Sequence, residues 1–462
     1  MKHLLLLLLI FVILTLITKS SYPQTNVKEQ WVSRYNRPGC SWDFSIASIT
    51  DDNQNTYVSG KFWNGINFDF LTIKYDPSGL EEWSKLYNGP ANRRDEAFAI
   101  AIDNLGNIYV TGASEGDREN DIATIKYSST GVQEWVNRFD GPANGKDIAK
   151  AIALDDHGNI FVTGGSQGEN SGYDYILIKY SPQGIQQWTT RFNGIGNSDD
   201  IAEGVIVDKS FNCYVTGSSV GNGTGKQKQD YATIKFDSAG VEQWAATYNG
   251  PGNGLDKVSC IILDTHGNVY ISGSSKGIDS GDDYATLKYN TNGVEQWIAR
   301  YDGENYTDQA KSLGLDQFGN IYVTGVSVGK NSGSDYATIK YNSMGLEDWV
   351  VRYNGNANGN DGASDLVVDK VGNIYVTGTC SNIASHEIDF NARCCSDYVT
   401  IKYDQMGVQE WINLFNGPDD AMNLARYISM DSAGNLYVTG FSSKTSNSNT
   451  INWEYLVVKY SQ

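Results

Sequence analysis

One stretch limits what this chain can fold into more than any other. Residues 316–361 read DQFGNIYVTGVSVGKNSGSDYATIKYNSMGLEDWVVRYNGNANGND, and a unit close to it occurs eight times. Three strand-like runs (GNIYVTG, DYATIKY, WVVRYNG) are separated by turn residues, and a fourth (DGASDLVVD) leads into the next copy. A unit of four short strands repeated along a chain cannot bury its apolar faces alone, but it can do so against its neighbours in a ring. The expectation is an all-β fold: a single eight-bladed β-propeller with four antiparallel strands per blade. The blades fall at about 40–89, 90–141, 142–194, 195–250, 251–303, 304–355, 356–417 and 418–462, the last completed by 31–36.

The punctuation is regular. Asp51, Asp103, Asp155, Asp208, Asp264, Asp316, Asp369 and Asp431 close the first strand of successive units. Eight residues upstream stand Asp43, Asp95, Asp147, Asp200, Asp256, Asp308, Asp361 and, in the last copy, Asn423. A DxxGN turn follows, its glycine supplying the positive φ of a tight hairpin. Gln54 and Phe211 replace that glycine in the first and fourth copies, where a strained or wider hairpin is expected. The IYVTG strand is apolar on both faces, as a strand sandwiched between neighbours should be. The IKY strand opens with Asp69, Asp121, Asp174, Asp230, Asp283, Asp335, Asp397 or Glu454 and carries a lysine in every copy.

Strand order decides how the ring closes. The chain begins with an outer-type strand (WVSRYN, 31–36) and ends with an IKY strand. The two deficits complete one another, and joining them removes both free edges. The same order sorts the loops onto two faces. The DxxGN and Gly turns are uniformly short, whereas the second-to-third-strand loops on the other face vary, with long versions at 220–229, 380–396 and 443–453. Variable loops on a rigid scaffold are where function tends to sit.

Through GNIYVTG, DYATIKY and the Gly-x-x-x-Trp spacing, the chain from about Trp31 to Gln462 resembles the secreted bacterial β-propeller repeat (SBBP) family. That resemblance implies a propeller and export, and no settled activity. The family's name assumes seven blades; eight copies are present here. The Gly-x-x-x-Trp hairpin looks more loosely like the tryptophan-docking repeat of eight-bladed quinoproteins, which implies a tryptophan packed between blades.

Lys2 and His3 precede an apolar run from Leu4 to Ile17 and then small polar residues. This reads as a signal peptide over 1–24, ahead of a propeller over 25–462, because a run of fourteen residues spans a bilayer poorly. A secreted, periplasmic or cell-surface protein is expected, with no membrane insertion after cleavage. The net charge of −19 argues against nucleic acid or anionic lipid as partner. A monomer binding a protein or glycan ligand is expected.

Fifteen recurring acidic residues open strands on the variable face. They read either as a cation-binding crown or as caps for the adjoining loops, and recurrence in every copy favours caps. No cofactor is expected. Structural calcium is a minor alternative, since neither an EF-hand nor a GGxGxD repeat occurs. No catalytic residue or metal ligand stands out, and no blade shows a distinctive cluster aimed at the axis. His157 and His266 occupy turn positions, and Cys213 and Cys260 sit inside strand motifs. Cys380 faces Cys394 or Cys395 across an insertion, a disulfide candidate under exporting conditions. The candidate ligand-binding residues are those the symmetric blades lack: His386, Glu387, Asp389, Phe390 and Arg393, with Trp453 beside them. A non-catalytic binding or scaffolding module is the favoured reading, ahead of an enzyme (lyase, glycoside-active or quinoprotein-like) or a structural envelope component.

Overall fold

The computed structural model describes residues 27–35, 42–221, 228–330, 332–381, 396–417, 422–445 and 451–462. They form thirty-two strands, numbered β1 to β32 along the chain, in eight four-stranded antiparallel sheets. Seven sheets are sequential: Phe44–Thr50 begins blade 1 and Phe415 ends blade 7. The eighth has the order β1-β32-β31-β30, joining Lys28–Tyr35 to Ile451–Ser461, Leu436–Thr445 and Asn423–Met430. The eight-blade count and the closure both stand.

The closing strand keeps the register of the internal ones. Trp31 pairs with Lys459 just as Trp83 pairs with Lys74. Each tryptophan leans on the glycine turn of the next blade. The Trp31 indole donates to Pro77 O (3.0 Å), Trp135 to Pro182 O (3.2 Å) and Trp244 to Thr291 O (3.1 Å). The blade-eight turn is replaced by the chain ends, and there Trp411 is buried among Tyr460 and Val27. The second strands are the core: Ile108, Tyr109 and Val110, like their counterparts in every blade, are wholly buried.

The DxxGN aspartates knit the turns. Asp103 Oδ1 accepts the N–H groups of Leu105 and Asn107, and its Oδ2 accepts Asn107 Nδ2 and the Tyr109 hydroxyl. Gln54 and Phe211 bear out the strained alternative and not the wider one. Both adopt the glycine conformation (φ 68° and 65°) and keep the same turn hydrogen bond at 2.9 Å, so neither hairpin is wider. Phe211 stacks on His157 of the neighbouring turn at 4.3 Å, a contact that offsets its backbone strain.

Candidate functional site

The two aspartate sets on the loop face behave as caps. Asp95, Asp147 and Asp256 are fully buried and accept Gly89, Gly141 and Gly250 N–H at 2.6–2.7 Å, fixing the entry of each blade. The third-strand set has a partner that recurrence alone did not reveal. Arg138, Arg191, Arg300 and Arg352 reach Asp121, Asp174, Asp283 and Asp335 at 2.6–2.9 Å, and Arg34 reaches Glu454 at 2.6 Å. Arg300 also donates to the Tyr248 hydroxyl of the preceding blade (2.6 Å) and to both Ser275 oxygens. A Trp-x-x-Arg spacing in five outer strands carried this signal.

Removing one partner of a buried pair leaves an uncompensated charge. Arg300→Ala is therefore expected to cost about 3 kcal/mol in chemical denaturation, and Arg300→Lys to recover only part of it, because lysine lacks the planar fork. A cost for Arg300→Ala below 1 kcal/mol would refute this role. Blade 4 shows the arginine's value from the other side. Thr247 stands in its place, and the Asp230 carboxyl is pushed up to about 6 by burial and by nearby Asp256. Three carboxylates converge within 4.8 Å at Asp121, Asp140 and Asp147, and again at Asp283, Asp302 and Asp308. In each group an arginine already bonds one member, so both read as parts of this same framework.

Against this repetition the loop-face end of each inner strand varies from blade to blade. Each inner strand bulges three residues after its opening aspartate or asparagine, and the register skips Ile46, Phe98, Lys150, Glu203, Ser259, Lys311, Ser364 and Arg426 in turn. The residue just before each bulge is small or medium and buried (Ser45, Ala97, Ala149, Ala202, Val258, Ala310, Ala363, Ala425). The bulged residue itself is half-buried or exposed. A bulge re-aims a side chain out of the pleat, and at this loop-face mouth of the ring the skipped residues reach the adjacent blade, Lys150 lying 5.5 Å from the Phe98 ring and Ser259 donating to Ala310 O. Electrostatics agree with that placement. Lys311 of blade 6 feels Arg426 of blade 8, past the whole of blade 7. Glu203 feels Lys150 and Lys257 from the blades on either side. These positions do not stand out in the sequence, because a bulge leaves no letter of its own there.

The mouth is chemically divided. Blades 5, 6 and 8 contribute Lys257, Lys311 and Arg426. Burial first, then Arg426 and Lys257, holds the Lys311 ammonium below its usual range. Blades 8 and 1 contribute an aromatic cluster. Phe44 packs edge-on against Phe441 at 5.1 Å, Trp453 lies 5.7 Å from Phe44, and Trp42 lies 6.5 Å from Phe44 with half its surface exposed. Arg426 joins the two halves, its guanidinium 5.5 Å from the Phe441 ring. Next to the aromatics, Lys61 bonds Glu96 at 2.8 Å; burial opposes ionisation of Glu96, but Lys61 and Arg94 hold its carboxyl below the usual range.

Of the residues expected to bind ligand, Trp453 is thus placed, half-buried in that cluster. His386, Glu387, Asp389, Phe390 and Arg393 lie outside the described residues, as do Cys394, Cys395 and the leader. Cys380 is buried beside Asp361 and Tyr353. His157 and His266 are exposed turn residues, as expected.

Comparison with known proteins bears on the repeat. A family model for the SBBP beta-propeller repeat matches residues 82–117 and 296–331, each running from an outer tryptophan strand into the next blade. At those two stretches the chain matches the SBBP repeat. An uncharacterized WD repeat-containing protein of Acanthamoeba polyphaga mimivirus is 24% identical over 290 residues, covering 50% of this chain and 21% of that protein. The regulatory protein FlaEY of Caulobacter vibrioides is 25% identical over 287 residues, covering 56% and 28%. The chain therefore spans about a quarter of the length of these curated relatives. Among solved structures, Sqt1 from Chaetomium thermophilum overlays with a TM-score of 0.58 at 8% identity, over 93% of this chain and 99% of that one. At that identity the likeness is one of fold.

Proposed function

We propose that this SBBP-repeat propeller is an exported, non-catalytic binding module whose protein or glycan ligand meets the loop face at the axial mouth. The observation that carries the reading is the contrast within each inner strand. The capping residue is aspartate in seven copies, and the residue before the bulge stays buried, while the bulged residue ranges from Ile46 and Phe98 to Lys150, Glu203 and Arg426. The residue after the cap varies as well, from Phe44 and Glu96 to Lys257 and Gly362, and a purely structural ring has little reason to diversify this end of its inner strands. A catalytic site on such a scaffold would need an activated nucleophile or a general acid–base pair, and the bulge positions supply scattered cations, one carboxylate and two serines, of which Ser259 donates its hydroxyl to Ala310 O. The apolar leader at the N-terminus supports export, and the protein is expected to act as a monomer.

The test is a binding screen of the exported protein on glycan and protein-ligand arrays, with two variants beside the native chain. Ser364→Trp fills the mouth, whereas Val132→Asp alters an exposed residue on the short-turn face. The expected result is a ligand lost on filling the mouth and kept by the turn-face change. A ligand lost only with Val132→Asp moves the working surface to the opposite side of the ring.

A further inference from the structure

Part of the cationic framework is paired. Five arginines pair with third-strand carboxylates, and Lys74, Lys126, Lys340 and Lys402 pair with an acidic neighbour on the outer strand at 2.6–3.4 Å. Lys257, Lys311 and Arg426 belong to the cations that are not, and they are distinguished by lying near one another. Among the described residues none of them enters an ion pair, all three are exposed, and all three border the axial mouth. Glu203 stands near Lys257 without an ion pair between them, and the three cations remain together. Clustered like charges oppose one another, and an anionic ligand would relieve that repulsion. Beside them Trp42, Phe44 and Trp453 supply a flat apolar surface, and Arg426 belongs to both halves through its contact with Phe441.

We infer that the mouth takes an acidic saccharide, its carboxylate or sulfate groups held by Lys257, Lys311 and Arg426 while a sugar face lies on Trp42 and its aromatic neighbours. The inference rests on the reading of the mouth as a binding site and names its ligand class. Charge alone would accept any anion. The adjoining rings select one that also presents a broad, weakly polar C–H face, as a pyranose does. A free phosphate or sulfate ion has no use for the rings. The acidic body of the protein turns away polyanions too long to sit within the mouth, nucleic acids among them.

The experiment is calorimetric titration of the full chain with oligogalacturonate, a sulfated dextran oligosaccharide, neutral dextran of the same size and poly-glutamate. The two acidic saccharides distinguish carboxylate from sulfate recognition. Binding of at least one is expected, weakening as salt rises. It should fall at least tenfold in a Lys257→Gln/Lys311→Gln/Arg426→Gln triple variant and separately in Trp42→Ala. All four positions are exposed, so the variants should melt like the native protein, which a thermal scan checks. Poly-glutamate binding as tightly as the saccharides, or acidic-saccharide binding indifferent to Trp42→Ala, overturns the saccharide assignment in favour of an acidic peptide or bare charge. Neutral dextran binding that survives the triple variant but is lost in Ser364→Trp overturns the charge assignment while sustaining the mouth as a site. Titrations silent for both acidic saccharides, with an array ligand lost only on the turn face, sink both readings.

Discussion

Deleting Lys28–Tyr35 is expected to open the ring. That strand pairs with the C-terminal strand from Lys28–Ser461 through to Tyr35–Tyr455. It also supplies Trp31, which lies against the Gly79 turn of blade 1, and Arg34, which reaches Glu454 and the Ser442 hydroxyl. Without it, a long C-terminal strand rich in Leu456, Val457 and Val458 becomes an edge with unpaired N–H and C=O groups, the template on which chains aggregate. Loss of a single cooperative transition and concentration-dependent aggregation by light scattering are expected. A peptide spanning Lys28–Tyr35, added in trans, should restore part of the transition. The point variant Trp31→Ala should cost about 3 kcal/mol, near the low end for a packed aromatic because Trp31 is only half-buried. A deletion protein that melts like the intact one would show that blade 8 holds with three strands.

The closure was legible in the sequence because it depends on residues present in every copy. Trp31 repeats the outer-strand tryptophan, Lys459 repeats the IKY lysine, and counting strand types from either end leaves one solution. The DxxGN aspartates were legible for the same reason, since the turn chemistry is local. What escaped had other causes. Arg138 and its equivalents occur in five outer strands, counting Arg34, but not in blades 1, 4 and 7, so an eye trained on invariants passes over them. Gln54 and Phe211 looked like defects, because propensity opposes a positive φ there, but the surrounding hairpin enforces it. The bulges were invisible because a skipped pairing is a property of two strands at once, whereas Lys150 or Ser259 in isolation looks like an unremarkable polar residue in a strand. The candidate site therefore gained its axial half from geometry and kept only Trp453 from the loops.

Asp43 should make the protein lose stability as the pH rises from about 4.5 to 7.5. In most blades the opening aspartate sits opposite a serine: Ser114 faces Asp95 and Ser166 faces Asp147, each hydroxyl favouring the ionised carboxyl. In blade 1 the residue in that place is Phe62. Burial dominates, the Trp63 N–H opposes it, Glu454 adds repulsion, and the Asp43 carboxyl is pushed up to about 7. Its unfolded value is near 3.9. The folded state therefore holds the proton more tightly than the unfolded chain. The stabilisation this provides is complete below about pH 4 and is lost as the pH climbs through 7, an effect on the order of 3 kcal/mol. Asp308, raised to about 6, adds to the trend. The eighth blade shows a neutral solution, since Asn423 occupies the same place and bonds Ser442 and Ser396 O. Asp43→Asn should accordingly raise stability by about 1 kcal/mol at pH 5 and by about 3 kcal/mol at pH 8, flattening the profile between. Urea denaturation at both pH values decides the matter. Equal effects of Asp43→Asn at pH 5 and pH 8 would mean that Asp43 is already charged at the lower pH, and that the missing serine costs nothing.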